Sequence, residues 1–411
     1  MILRNGSARR SSIRLAAWCL SGFIGVALIV RTSLLLACPF CSATAPTIGS
    51  DLAESTAAVV AQSQSSFLDA DGIRIYRLSI REVLHGDPAL KGKTIEVTPY
   101  ESLEEDSPLL LFGYGEDPIY WEKPQSISDE AIKYVRGLID LPAEGAQRLE
   151  YFLPFLQHSD DAIAADAYNE FAESSMQEIA ALSDQIDRAW VVAQLQDASV
   201  SPHRRRLCWT LLSFCGTKKD LHLVEQAIQR RSKDPTFDPG LDAAIACCLC
   251  LGGEDELHRI EREYLSNCNA SYTDTFAAVG AIRVHGTDLD VVKRERLAES
   301  FRLLLARPAL ADLVIADLAR WGDWSAIDRV VQLFETESEN QRLVQSACVM
   351  YLKTCPLPKS QVALEKVRAM EPEVVKAAES SLLFYRGLPS VPVPPASVPK
   401  VAAPEAKERR Q

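Results

Sequence analysis

The one local motif in this 411-residue chain whose residue types and spacing could carry chemistry is Cys38-Pro39-Phe40-Cys41. Two cysteines separated by two residues can serve as a redox dithiol, as half of a metal site, or as a small disulfide in an oxidising compartment. A dithiol enzyme sets such a pair after a buried strand and at the start of a helix, where the helix dipole lowers the thiol pKa. Here an apolar N-terminal run precedes it instead, and a zinc site would want a second pair that is not nearby. A structural disulfide between Cys38 and Cys41 is the leading reading, ahead of lipid attachment or processing at Cys38 and ahead of redox or metal chemistry.

The remaining candidates are plainer. Cys247, Cys248 and Cys250 lie in an apolar run from Leu241 to Leu251, where buried thiols behave as small hydrophobes. His85, His158, His203, His222, His258 and His285 are scattered without metal spacing, and no G-x-S-x-G elbow or P-loop occurs. Adjacent carboxylates such as Asp160/Asp161 and Glu104/Glu105 read as solvated loops or helix starts. The sequence therefore nominates no catalytic residue, metal site or cofactor. Arg204, Arg205 and Arg206, with Trp321 and Trp324, form a candidate binding surface, although helix-surface charge and packing explain the same residues.

Around these residues the chain must supply elements. Residues 1–37 have the order of an export signal: a basic flank through Arg14, an apolar run from Leu15 to Val30, an interruption at Arg31, then Leu34 to Ala37. Neither apolar piece reaches the roughly 20 residues that span a bilayer, which favours a cleaved signal over a retained anchor. Leu35-Leu36-Ala37-Cys38 also resembles a lipoprotein box. The expected location is outside the cytoplasm, in the periplasm or cell envelope, with attachment to the membrane through the N-terminal segment or a lipidated Cys38. The formal net charge of -12 becomes -17 once the five arginines of residues 1–37 are set aside, a balance that argues against nucleic acid and leaves a protein or peptide as partner.

From Ser50 to about Pro124 the hydrophobic period is that of strands: Ala57 to Gln62, Ile73 to Leu84, Lys93 to Thr98, Leu109 to Phe112 and Ile119 to Trp121. Five or so strands in about 75 residues predict a small closed or partly open barrel. Cysteines just after a signal, Val83-Leu84-His85-Gly86 ending a long strand, and a Leu109-Leu110-Leu111-Phe112-Gly113 strand resemble the netrin-type OB-fold, whose members include the tissue inhibitors of metalloproteinases. That resemblance implies a metalloprotease inhibitor acting through Cys38, whose amine and carbonyl would chelate the target's metal, with C-x-x-C standing where the family has C-x-C.

Beyond Gln125 helices follow one another. Gly216, Gly252, Gly286, Gly322 and Pro356 recur at about 35 residues, each after an apolar helix and before an amphipathic one. Such units bury their apolar faces only against neighbours, and the spacing resembles HEAT-type helical repeats. The whole order, carried by Cys-Pro-Phe-Cys-Ser-Ala, Arg204-Arg205-Arg206-Leu207, Ala311-Asp312-Leu313-Val314-Ile315 and Leu318-Ala319-Arg320-Trp321, resembles a family of exported bacterial proteins with HEAT-like repeats; that likeness brings an architecture and no activity.

The expected fold is multidomain α+β, a small OB-like (netrin-type) β-barrel followed by an all-α HEAT-like solenoid. Its expected parts are a signal peptide or anchor (1–37), the β domain with CPFC at its start (38–125), the helical repeats (126–387) and a Pro-rich disordered tail (388–411). The expected role is non-catalytic binding, with thiol-disulfide or metal chemistry at Cys38 and Cys41, or protease inhibition, as alternatives.

Overall fold

In a computed structural model of the chain, residues 38–386 are described except 42, 100–101, 104–106 and 235, with side chains as far as 380. The expected export segment and proline-rich tail lie outside the described residues. Among those described, no helix is long and apolar enough to cross a membrane.

A short helix α1 (Ile48–Glu54) leads into a six-stranded antiparallel sheet: β1 (Ala57–Leu68), β2 (Arg74–His85), β3 (Thr94–Val97), β4 (Pro108–Tyr114), β5 (Tyr120–Trp121) and β6 (Gln125–Ser126). The order is β3-β2-β1-β4-β5, with β6 also on β4. Among the described residues no ladder joins β3 to β5, so both remain edges. β1 runs six residues past its expected end because Ser63 to Leu68 pair with Leu78 to Arg74 despite carrying little apolar signal.

The apolar runs of β1 and β4 have a physical reason: both faces of these strands are covered. Ala57, Val59, Ala61, Leu109 and Leu111 pack with Tyr76, Leu78, Ile80 and Val97 in the sheet's own core. Their alternates Ala58, Val60, Leu110 and Phe112 join the helical core on the opposite face.

Sixteen further α-helices are described. The first group comprises α2 (Asp129–Leu138), α3 (Ala146–Phe152), α4 (Asp161–Glu173), α5 (Met176–Ala180) and α6 (Arg188–Gln196). Local chemistry starts them: Ser128 caps α2 by accepting from Ala131 N, and Ser175 with Glu178 makes a capping box on α5. The second group is α7 (Pro202–Cys215), α8 (Leu221–Lys233), α9 (Leu241–Gly252), α10 (Glu254–Ile260), α11 (Tyr272–Thr287), α12 (Arg294–Leu304), α13 (Asp312–Arg320), α14 (Ile327–Glu335), α15 (Gln341–Thr354), α16 (Pro358–Met370) and α17 (Pro372–Arg386).

In this second group packing follows a rule. α7 packs on α9, α9 on α11, α11 on α13, α13 on α15 and α15 on α17, while α8, α10, α12, α14 and α16 contact the members of that row nearest in sequence. α9, apolar on every side, is the helix the row encloses most completely; Ala243 to Leu249 are all buried. Side chains tie each unit to the next: Arg206 to Asp242, Arg296 to Glu261, Arg283 to Asp317, Lys359 to Asp328 and Lys366 to Glu335 span 36, 35, 34, 31 and 31 residues. The molecule is thus a small antiparallel sheet followed by helices, an α+β layout.

Three of the glycines that mark the repeat do different work. Gly216 caps α7, and Gly252 ends α9 with Gly253 turning the chain at φ +64°. Gly286 lies inside α11, where a Cβ would sit 2.2 Å from the Trp321 indole; the glycine is there for close packing, not to end the helix.

Candidate functional site

The CPFC segment does not pack within the sheet's own core. Cys38, Phe40 and Cys41 are buried in the helical core. The Cys38 N–H donates to Ala172 O on α4 at 3.1 Å, and Cys41 N–H closes a turn on Cys38 O at 3.1 Å. Cys38 Sγ lies 3.9 Å from Thr210 Oγ1 on α7. The two thiols are free, and both are buried at the ends of one turn.

That geometry separates their acidities. Burial raises the Cys38 pKa, but hydrogen bonds from the Cys41 thiol, the Phe40 backbone, Thr210 and the Cys41 backbone outweigh it, and the net shift is downward. Cys41 is pushed well up, first by its hydrogen bond to Cys38 and then by burial. Cys38 has only 2% of its surface exposed and its backbone N–H is engaged by Ala172 O.

What holds the segment is a polar face on α4 that sequence reasoning missed. Asp166, Asn169 and Glu170 are all buried. Asn169 Oδ1 accepts from Thr44 N at 2.9 Å and Thr44 Oγ1 at 3.1 Å. Asp166 accepts from Ile48 N at 2.7 Å and from Tyr134 OH at 2.6 Å. Glu170 forms a two-pronged pair with Arg148 at 2.9 and 2.7 Å, and Gly49 rests so close to it that a Cβ would meet Arg148 Nη2 at 2.2 Å. Burial drives the Asp166 pKa up to about 6 against the pull of its two donors. The signal was present as Asp-x-x-Asn-Glu, polar groups at i, i+3 and i+4 of one helix.

The other nominated residues are dispersed. Arg205 is buried, donating to the carbonyls of Val200 at 2.6 Å, Ala198 at 3.3 Å, Asp197 at 3.5 Å and Asp238, with its guanidinium 4.4 Å from the centre of the Phe237 ring. Arg206 pairs with Asp238 and Asp242. Arg204 is half-buried and lines a narrow crevice with Trp190, Leu207 and Cys208. Trp321 stacks on Phe301 at 4.9 Å and 7°, and Trp324 meets Tyr351 edge-on. The two tryptophans belong to the α13–α14 turn, beyond α9 and α11 in the row, so the structure does not gather the five into one patch.

Cys247, Cys248 and Cys250 pack inside α9, and burial pushes the Cys248 and Cys250 thiols up to about 12. Among the described residues no group of three or more His, Cys, Asp or Glu side chains could hold a metal ion.

A second feature escaped sequence reasoning. Tyr272 and Phe276, one turn apart on α11, stack at 6.0 Å and are 54% and 49% exposed. Tyr272 borders an open groove with Cys268, Arg307, Pro308 and Leu310. The signal is an aromatic i, i+4 pair near the start of the helix.

No protein-family model, curated protein or solved structure matches the chain.

Proposed function

We propose that the chain is a non-catalytic binding protein of the cell envelope, delivered there by its N-terminal segment, with a HEAT-like helical solenoid as its recognition surface and an OB-like sheet beside it. The observation that carries this reading is the helical row: successive helices cover one another's apolar faces, and ion pairs tie neighbouring units, which is how stacked repeats build a rigid surface for partners. The strand order β3-β2-β1-β4-β5 supports the OB-like reading, since a central β1 flanked by β2 and β4 leaves only the β3 and β5 edges to meet. The partner fitting this surface is a protein or peptide. The exposed Tyr272–Phe276 stack beside a groove offers the aromatic anchor such contacts favour, and the acidic charge disfavours nucleic acid.

The test is a binding measurement on the exported chain. A peptide or protein ligand selected against it should bind saturably, and Tyr272→Ala with Phe276→Ala should weaken that binding at least tenfold while leaving the unfolding transition in place. The reading fails if affinity is indifferent to these side chains and to others along the row. A disulfide-exchange role keeps one observation in its favour, the paired thiols of Cys38 and Cys41; it predicts reduction of insulin disulfides at a rate that Cys38→Ser abolishes.

A further inference from the structure

The segment from Cys38 to Ile48 makes a set of contacts that a plain linker would not need. It is gripped along α4 at Ala172 O, Asn169 Oδ1 and Asp166 Oδ1, and Phe40 is buried with Cys38 and Cys41. Residues 43–46, by contrast, are exposed. Burial of both thiols at the ends of one four-residue turn closed by Cys41 N–H on Cys38 O, with Cys38 Sγ against Thr210 of α7, is the second observation.

We propose that this segment is a redox-gated clasp, in which a disulfide between Cys38 and Cys41 tightens the hold of residues 38–48 on α4 and reduction loosens it. This goes beyond the binding reading and does not depend on it.

The chemistry balances as a thiol–disulfide exchange with a small disulfide oxidant such as oxidised glutathione. With the clasp lifted, the Cys38 thiolate attacks one glutathione sulfur, forming a mixed disulfide and releasing one glutathione thiol, which carries the proton Cys38 gave up. The Cys41 sulfur then attacks Cys38 Sγ, expelling the second glutathione, which takes the Cys41 proton. Two protein thiols are oxidised and one glutathione disulfide is reduced.

The structure explains why the exchange is gated. Docked, Cys38 and Cys41 are 2% and 8% exposed, so an oxidant reaches them only when the clasp opens. Once formed, the cross-link holds the 38–41 turn in its docked shape, and the chain gives up less conformational freedom on closing. For a loop of this size the loss of open-state freedom amounts to roughly a tenfold shift toward the closed state.

Hydrogen exchange read by mass spectrometry on the full chain tests this. After oxidation with oxidised glutathione, the chain should be 2 Da lighter at the 38–41 peptide, and the Thr44 and Ile48 amides should exchange roughly tenfold more slowly than in the reduced chain. Amides of α15 should be unchanged. In the reduced chain, alkylation of Cys38 by iodoacetamide should track the opening seen by exchange. Cys41→Ser should remove the redox dependence while keeping the segment's contacts with α4. Equal exchange in the two redox states, or oxidation that joins Cys38 to another cysteine, would overturn the proposal.

Discussion

Helices α4 and α11 each bury a titratable side chain, and they do so for different ends. On α4, Asp166 takes hydrogen bonds from Ile48, 118 residues earlier, and from Tyr134. On α11, His285 Nε2 lies 3.0 Å from Ala246 O of the adjacent α9, one repeat away, and its Nδ1 has no partner. The first contact holds a distant segment in place; the second stitches neighbours in a row. Remote attachment here rests on side chains accepting from backbone N–H groups, whereas the row rests on side chains reaching across roughly one repeat length. The two regions should therefore fail differently when disturbed.

The largest effect is expected in the row. Arg205 bridges the loop before α7, through Val200 and Ala198, to the loop before α9, through Asp238. Arg205→Ala leaves these buried carbonyls without donors and opens a cavity beside Phe237, so the loss should be about 3 to 5 kcal/mol. Urea unfolding measures it. A loss below about 1 kcal/mol would mean that the bridge is dispensable and that the row gains its strength from apolar stacking alone.

The second test sets the two helices against each other by pH. The Asp166 pKa is about 6 in the fold against 3.8 as the ordinary value. Protonation then favours the folded state, and the group's contribution to stability declines as pH rises from about 4 to 6, by about 3 kcal/mol. The His285 pKa is lowered by burial to about 4 from 6.5, so the unfolded chain takes up the proton first and stability falls as pH drops from 6.5 to 4, by a similar amount. The two slopes oppose each other over nearly the same window. Asp166→Asn should unmask a stability that climbs with pH relative to the parent chain, and His285→Gln one that declines. Parallel difference curves for the two variants would show that one of these groups does not titrate as its burial dictates.

How much of this could be read in the sequence differs between the same two regions. The row was legible because each unit repeats its apolar face, so Leu207 to Gly216 and Ala243 to Gly252 announce α7 and α9 by recurrence. The positions of β1 to β5 were legible from their apolar pattern, whereas the two-residue β6 and the burial of β1 and β4 on both faces were not. The α4 face was not legible, because Asp166, Asn169 and Glu170 look like any solvated helix surface until a segment 118 residues away covers Asp166. The same blindness placed Arg205 on a binding surface: a lone sequence shows a charge but not the carbonyls that enclose it. It also set CPFC at the head of the sheet, when its burial is against α4 and α7.

A smaller effect separates two glycines of α11. At Gly286 a Cβ would lie 2.2 Å from Trp321, whose ring is already stacked on Phe301, whereas at Gly280 it would meet nothing within 4 Å. Gly286→Ala should cost about 1 to 3 kcal/mol through overpacking. Gly280→Ala should stabilise by about 0.5 to 1 kcal/mol, because alanine loses less freedom in a helix. Thermal unfolding of the pair reads opposite signs; the same sign in both would remove the α11–α13 contact from the account.

The smallest effect sharpens what ties the row. Lys359 and Asp328 meet at 2.6 Å but are 61% and 74% exposed, whereas Arg296 and Glu261 meet at 2.6 Å with 19% and 11% exposure and share Ser300. Water and salt screen the first pair, so its double-mutant coupling should be below about 0.5 kcal/mol and vanish in 1 M salt. The second pair, sheltered and hydrogen-bonded on several sides, should couple by about 1.5 to 3 kcal/mol and keep most of that in salt. If both couplings were equally small, the regular spacing of the ion pairs would reflect only the repeat of the helices that carry them, and apolar stacking alone would set the register of the row.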